Sequence, residues 1–371
     1  MKLLLACGGT GGHFFPAIGL AEVFLHQYEP VIVIGESSVE QELSKDISVR
    51  IERIPVFKIP NGSAIRWLSF LKEESRALVH SIQLIRKIRP EIVIGFGGYA
   101  AVPTLLAAKL CGVPTLIHEQ NVLLGKANRF LARWANGIAL SFPATVTSVK
   151  KHACVAVTGN PGPLRFRNES NAGFELSHPP LLEEGRFTLL VMGGSQGAHR
   201  VNECMVSAVC GWLHQYPEQK KHLQLIHVTG AGDYQRVYQA YKGLDIPFLV
   251  TPFHTRMDQF YRLAHLVVAR AGATSLAELA FFGLPSFLIP YPHAGAHQLE
   301  NAEVFEREGA GVVIQEGELS IHKIVEYLQL LAGAPEKLHQ MKIAAERLAI
   351  LDVKERFTGL IEKVKFGFRV M

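Results

Sequence analysis

Short, unbroken runs of Leu, Ile and Val alternate along this chain with longer stretches in which apolar residues recur every three or four positions. The unbroken runs predict strands covered on both faces, and the wider spacing predicts helices. In the first half the pattern predicts strands at 3–6, 30–34, 91–94 and 113–117, with helices at 16–26, 73–88, 102–110 and 126–134. Leu78, Ile82 and Ile85 carry the helical spacing of 73–88. A last strand at 155–157 runs into Gly159-Asn160-Pro161-Gly162-Pro163. That cluster and the polar, Pro-containing stretch up to Glu184 are the expected linker. The alternation then restarts, with strands at 187–192, 223–228, 248–251, 266–269 and 286–289 and helices at 202–214 and 275–282. The expected fold class is α/β: two Rossmann-like, doubly wound domains with a cleft between them and ligands at the carboxyl ends of the strands.

Length supports this division, because 371 residues exceed one ordinary core. With 48% hydrophobic and 19% charged residues the chain is globular rather than disordered. A net charge of +5 suits anionic substrates or an anionic membrane surface but lacks the basic bias of a nucleic-acid binder. The cysteines Cys7, Cys111, Cys154, Cys204 and Cys210 are scattered and form no C-x-x-C pair, which reads as reduced, cytosolic, mostly buried thiols. Cys7 lies beside a glycine loop, and packing is the favoured reading for it over a reactive thiol. The apolar run at the N-terminus is too short for a secretion signal, and no stretch of about 18 apolar residues suggests a membrane span.

Two glycine-rich loops occupy matching places in the two halves. Gly8-Gly9-Thr10-Gly11-Gly12-His13 follows the first strand, and Gly193-Gly194-Ser195-Gln196-Gly197-Ala198 follows the strand at 187–192. Such loops let backbone N–H groups approach an anion or a sugar, with the next helix adding positive potential. A dinucleotide fingerprint fails because Phe14 stands where its third glycine belongs, although Glu36 would supply the acid that the fingerprint requires. A P-loop fails because no Gly-Lys-Ser/Thr follows either loop.

Three further motifs end predicted strands. Gly95-Phe96-Gly97-Gly98-Tyr99 suggests, with the other two loops, a long substrate groove. His118-Glu119-Gln120-Asn121 places polar groups at a strand's carboxyl end without the spacing of a zinc helix. Arg270-Ala271-Gly272-Ala273-Thr274-Ser275-Leu276-Ala277-Glu278 opens a helix with small residues and sets Glu278 in its early turns. There a carboxylate accepts from a ribose diol while helix N–H groups face phosphate; an exposed glutamate complementing the helix dipole is the other reading. Pro290-Tyr291-Pro292-His293 and His297-Gln298-x-x-Asn301 form a polar cluster suited to sugar hydroxyls. No D-x-D pair is present, so diphosphate charge falls to helix dipoles and basic groups, with no metal and no cofactor expected.

Taken together and in this order, these motifs resemble the MurG family, the UDP-N-acetylglucosamine transferases that convert lipid I into lipid II in peptidoglycan synthesis. The resemblance runs from the first residues to beyond Asn301. It implies a GT-B fold with residues 1–160 as an acceptor- and membrane-facing domain, completed by a helix near 351–371, and residues 161–350 as the UDP-sugar domain. It also implies that Ser195 meets the diphosphate, that Ala273, Thr274, Ser275 and Leu276 line uridine and phosphate, and that Glu278 takes the ribose and Gln298 the sugar. Thr10, Gly11 and Gly12 would border diphosphate and acceptor, Asn121 would reach the transferred sugar, and Arg165 stands near the family's basic position. The implied reaction is displacement with inversion at the anomeric carbon by the muramyl 4-hydroxyl. His13 is the leading candidate base, with binding of acceptor phosphate or capping of the loop as its alternative, and His118 is the reserve.

The chain departs from the family pattern in three places. The third glycine run ends Tyr99-Ala100-Ala101-Val102-Pro103 where the family usually has a serine, Pro163 and Leu164 precede Arg165, and Gly295-Ala296 stands where an acid usually precedes His297-Gln298. A lipid-linked acceptor implies a peripheral enzyme on the cytoplasmic face of the inner membrane, with cell-wall synthesis or division proteins as partners. Ile65-Arg66-Trp67-Leu68-Ser69-Phe70-Leu71-Lys72, with Arg86, Lys87 and Arg89, combines apolar and cationic side chains as interfacial segments do, although a core-facing helix explains its aliphatics equally well. The basic, apolar segment 363–371 reads as domain packing. Another UDP-sugar glycolipid transferase and a UDP-sugar epimerase are the alternatives on the same fold.

Overall fold

The computed structural model describes residues 1–8, 11–36, 49–56, 64–149, 152, 154–166, 182–194, 197–292 and 296–370; for 64–69, 71, 369 and 370 it describes the backbone alone. The chain divides into two compact units, Met1–Asn168 with Ile350–Met371, and Glu169–Ala349.

Among the described residues of the first unit, seven parallel strands lie in the order β3-β2-β1-β4-β5-β6-β7. They are β1 (Lys2–Ala6), β2 (Glu29–Ile34), β3 (Arg50–Arg53), β4 (Ile92–Gly95), β5 (Thr115–Glu119), β6 (Gly137–Leu140) and β7 (Val155–Val157). The unbroken apolar runs follow from two-sided burial. Leu3 and Leu5 enter the core on one face of the sheet, while Leu4 and Ala6 enter the core on the other. Helices α1 (Gly11–Phe24), α2 (Ala64–Ile88), α3 (Ala101–Leu110) and α4 (Lys126–Leu131) link the strands. The strand order reverses between β1 and β4, where Ala6 pairs with Gly95. Ligands of such sheets bind at that switch point, and the loops after these two strands are glycine-rich.

The Gly/Pro cluster expected to be a linker belongs to this unit. Residues 160–164 are buried, and Gly162–Phe166 forms a 3₁₀ turn against α1. A Cβ on Gly19 would stand 2.1 Å from the Pro161 carbonyl oxygen, so only glycine lets the helix and this turn meet. The division falls between Asn168 and Glu169, inside the stretch up to Glu184 expected as the linker but later than the 160/161 boundary.

Among its described residues the second unit repeats the plan with six parallel strands in the order β10-β9-β8-β11-β12-β13. They are β8 (Phe187–Met192), β9 (Leu223–Val228), β10 (Phe248–Thr251), β11 (Leu266–Ala269), β12 (Ser286–Leu288) and β13 (Gly311–Val313). The intervening helices are α5 (His199–Gln215), α6 (Tyr234–Tyr241), α7 (Met257–Leu263), α8 (Ala273–Phe281) and α9 (His297–Arg307), followed by α10 (Ile321–Ala332) and α11 (Pro335–Leu348). Buried Trp212 of α5 satisfies its indole N–H on Gln329 of α10 at 2.7 Å. Here the switch point lies between β8 and β11, with Met192 opposite Ala269. The second glycine loop and the Arg270–Gly272 turn follow those two strands.

Helix α12 (Val353–Val370) belongs to the first unit. Val353, Phe357, Leu360, Ile361 and Val364 form one buried stripe at helical spacing. Arg356 Nη1 donates to the Val157 carbonyl at 3.0 Å, and Lys365 pairs with Glu91.

Candidate active site

The first and third glycine runs interlock at the switch point of the first unit. Gly98 has φ +79°, and a Cβ there would stand 2.1 Å from the Gly8 carbonyl oxygen. The same carbonyl accepts from His13 Nδ1 at 3.0 Å. A carbonyl only accepts, so the proton sits on Nδ1, and in the neutral ring Nε2 keeps its lone pair. Gly97 makes room for that edge, since a Cβ on it would lie 3.2 Å from Nε2. Burial pushes the His13 pKa down, against the pull of the Glu119 carboxylate and the Gly8 carbonyl. His13 is thus a neutral, oriented imidazole at neutral pH.

His118 has a different situation. It is fully buried on β5, between the rings of Phe96 and Phe357 at 5.3 and 5.5 Å. Its Nε2 donates to the Gly159 carbonyl at 3.1 Å, with Ser141 Oγ 3.2 Å away, and its Nδ1 accepts from Gln120 Nε2 at 3.1 Å. Desolvation lowers its pKa to about 3. Both ring nitrogens are engaged within the protein.

Glu119 organises the rest of this strand end. Its Oε1 accepts from the Asn121 backbone at 3.0 Å and from the Asn121 side chain at 3.1 Å. Its Oε2 accepts from Gly125 N and Asn128 Nδ2, both at 2.9 Å. Four donors on one buried carboxylate fix Asn121, which is itself half-buried. The sequence alone assigns Glu119 no role beyond its place in the motif; its signal is an acid at the carboxyl end of a fully buried strand. Gly11 is buried and Gly12 exposed at the start of α1, while Thr10 lies outside the described residues. Phe14 is buried in the core, which is why the third glycine of a dinucleotide fingerprint has no place here. Cys7 is likewise a core residue. Arg165 lies over the rings of Phe15 and Phe166 at 4.3 and 4.2 Å, and its Nη1 donates to the Gly162 carbonyl at 3.1 Å.

The second unit joins its own segments. Ala273, Thr274 and Leu276 are buried in the first turn of α8, with Ser275 half-buried. Glu278 is only 5% exposed and accepts a 2.6 Å hydrogen bond from the Tyr261 hydroxyl. It is therefore not a surface glutamate, and Tyr261 is a partner that the sequence reading missed. Arg270 pairs with Glu316 and donates to the Ile289 and Pro290 carbonyls at 3.2 and 3.3 Å. Buried Asn301 donates to the Ala271 carbonyl at 3.2 Å, and Gln298 Oε1 accepts from Tyr291 N at 2.9 Å. The Arg270–Glu278 and Tyr291–Asn301 segments are thereby tied together. Ser195 lies outside the described residues, as does Gly295; Ala296 beside it has φ +66°. Among the described residues no group of three His, Cys, Asp or Glu side chains is placed to hold a metal ion.

Residues 3–140 match the N-terminal domain of glycosyltransferase family 28, and residues 188–357 match its C-terminal domain. The chain belongs to glycosyltransferase family 28. Among its curated family 28 relatives, a protein of Halothermothrix orenii is 36% identical, covering 99% of this chain and 100% of its own. Another, from Syntrophotalea carbinolica, is 37% identical over 98% and 99%. Both are named UDP-N-acetylglucosamine--N-acetylmuramyl-(pentapeptide) pyrophosphoryl-undecaprenol N-acetylglucosamine transferase. Among solved structures, MurG of Acinetobacter baumannii matches with a TM-score of 0.72 and 26% identity, covering 98% of this chain and 100% of that one. A UDP-N-acetylglucosamine 2-epimerase matches with a TM-score of 0.70 at 14% identity, over 100% and 97%, a likeness of fold alone. The two parallel-sheet units are those of the GT-B fold.

Proposed function

We infer that this chain transfers N-acetylglucosamine from UDP-N-acetylglucosamine to the muramyl 4-hydroxyl of undecaprenyl-diphospho-N-acetylmuramyl-pentapeptide, lipid I, to give lipid II. Relatives of that name, 36–37% identical along nearly the whole chain, carry this reading. In the proposed reaction the 4-hydroxyl oxygen bonds to the anomeric carbon of the donor sugar with inversion. The bond from that carbon to the diphosphate oxygen breaks, and UDP leaves with the electron pair.

His13 Nε2 takes the hydroxyl proton as general base. The observation supporting this is the Nδ1 bond to Gly8, which leaves Nε2 as the basic atom. His118, with both nitrogens engaged, holds Gln120 and the Phe96 loop in place. Thr10, Gly11 and Gly12 border the acceptor diphosphate, and Asn121, fixed by Glu119, reaches the transferred sugar. Arg165 faces anionic groups of the acceptor. On the donor side, Ser195 and the loop around it meet the UDP diphosphate, and Ala273, Thr274, Ser275 and Leu276 offer the first turn of α8. Glu278, oriented by Tyr261, accepts from the ribose diol, and Gln298 binds sugar hydroxyls.

Among the described residues no helix is long and apolar enough to cross a membrane. We propose peripheral binding at the cytoplasmic face of the inner membrane through the start of α2, where Phe70 is half-buried and Lys72 exposed; the side chains of Ile65, Trp67 and Leu71 lie outside the described residues. Exposed Arg86, Lys87 and Arg89 add attraction to anionic lipid. Cell-wall synthesis and division proteins are the proposed partners.

The deciding assay incubates the protein with UDP-N-acetylglucosamine and a lipid I analogue. UDP release that depends on the analogue, with a disaccharide-lipid product, is the expected result. Formation of UDP-N-acetylmannosamine without acceptor would instead make the chain an epimerase. Release that depends on a different glycolipid would reassign the acceptor.

A further inference from the structure

A buried polar chain beside the donor-side glycine loop takes no part in the reaction above. The Tyr241 hydroxyl donates to His227 Nδ1 at 2.9 Å, and His227 Nε2 donates to Asn202 Oδ1 at 3.0 Å. Asn202 Nδ2 then donates to the Thr229 carbonyl and to Asp233 Oδ2, both at 2.8 Å. Asp233 Oδ1 accepts from His199 Nδ1 at 2.8 Å and from Arg236 Nη2 at 3.0 Å. Every donor faces an acceptor, so the direction of the chain is fixed from the tyrosine to the carboxylate. Tyr241, His227 and Asn202 are fully buried, and Asp233 is nearly so.

An apolar filling of the same volume would be about as stable, so stability alone does not call for this network. The geometry here converges on one carbonyl. Gly197 has φ +76°, and a Cβ on it would stand 2.6 Å from the Thr229 oxygen, the atom that Asn202 holds. Gly197 N also donates to the Gly194 carbonyl at 3.0 Å, closing the described part of the loop on itself. Asn202 lies in the first turn of α5, immediately after the loop, and Asp233 lies at the start of α6. A shift of the Thr229 carbonyl is therefore a shift of the surface on which the loop rests.

We propose that Asn202 and Asp233 are positioning residues for donor binding, holding the Thr229 carbonyl and the first turn of α5 so that the loop presents its N–H groups to the UDP diphosphate. The inference rests on the reading that this loop meets that diphosphate. Asp233 supplies two acceptor oxygens to three donors, and Asp233→Asn replaces one of them by an amide that can only donate.

The test measures UDP affinity by calorimetry, kcat, both KM values and Tm in the full chain. For Asp233→Asn, UDP binding and the KM for UDP-N-acetylglucosamine weaken about tenfold, the scale of one charge-assisted hydrogen bond. The KM for the lipid I analogue stays within about twofold, and Asp233→Glu, which keeps both oxygens, recovers part of the loss. Where Asp233→Asn does not fold, Asn202→Ser serves, since it leaves the Asp233 ion pairs intact and frees the Thr229 carbonyl. A folded variant with a lowered Tm and unchanged UDP affinity overturns the proposal in favour of a merely structural network. Gly197→Ala separates the two readings. If it leaves UDP affinity unchanged, the loop does not meet the diphosphate. If it weakens UDP binding while Asp233→Asn and Asn202→Ser do not, only the positioning role falls.

Discussion

His13→Ala removes the imidazole whose Nδ1 is tied to Gly8 and whose Nε2 is proposed to take the acceptor proton. General-base catalysis contributes about 10²–10⁴ in rate, or roughly 2.7–5.5 kcal/mol of transition-state stabilisation. The structural loss is smaller. One hydrogen bond to the Gly8 carbonyl disappears, with a net cost of about 0.5–1.5 kcal/mol in stability. The expectation is a kcat lower by at least about a hundredfold, with the KM for UDP-N-acetylglucosamine within about twofold. The pH profile gives a second handle. A general base works in its neutral form, and burial places the His13 pKa below 6.5, so activity should fall only as pH drops below that value. This acidic limb should vanish in His13→Ala. Saturating lipid I analogue, a coupled UDP-release assay and single-turnover measurements would separate chemistry from product release. Small, equal changes in kcat and both KM values, or an acidic limb that survives the substitution, would remove His13 from the catalytic role.

Gly98→Ala forces a Cβ against the Gly8 carbonyl and should cost at least about 1–3 kcal/mol, with loss of activity in the folded fraction; an unchanged Tm would show that the two loops do not interlock as described. His118 and His227 are buried as neutral rings with pKa values near 3, so the unfolded chain binds protons that the folded rings refuse as pH falls from 6.5. Stability should fall with pH across that window by about 1.4 kcal/mol per unit for each histidine, and calorimetry between pH 7 and about 4.5 checks it; a flat Tm would contradict the burial of both rings. Replacing Trp67, Phe70 and Leu71 together by serine should release the folded protein from anionic vesicles, and retained vesicle binding would exclude this segment as the membrane contact.

Much of the architecture was legible because its strands are buried on both faces and their side chains must be apolar without interruption, as in Leu3, Leu4 and Leu5. Where that condition relaxes, the signal fades. β3 is the half-exposed Arg-Ile-Glu-Arg at the sheet edge. β6 is buried throughout, but Gly137 and Ala139 leave Ile138 and Leu140 as its only large apolar side chains. The Gly/Pro cluster at 159–163 has the composition of a linker, but its glycines and prolines serve close packing against α1, which composition cannot distinguish. At the site, residue types and loop positions could be read for His13, Asn121 and Glu278. The surroundings of His118 and Glu278 could not, because their partners lie outside their own motifs. His118 is committed by Gly159 and Phe357, and Glu278 is oriented by Tyr261. The Asn202–His227–Asp233 chain had no local signature, since it brings together two helices and a strand.

Helix α12 gives the first unit a discontinuous origin in the chain. Phe357 covers His118, and Arg356 anchors to Val157, so the body containing His13 is assembled from segments about two hundred residues apart. During synthesis, the first seven strands emerge long before the helix that buries their remaining apolar face. Those strands must wait, partly uncovered, while the whole second unit is made, a period in which exposed apolar surface invites association. A fragment ending near Asn168 would carry the same exposed face permanently, so the two units cannot be separated by a single cut between them.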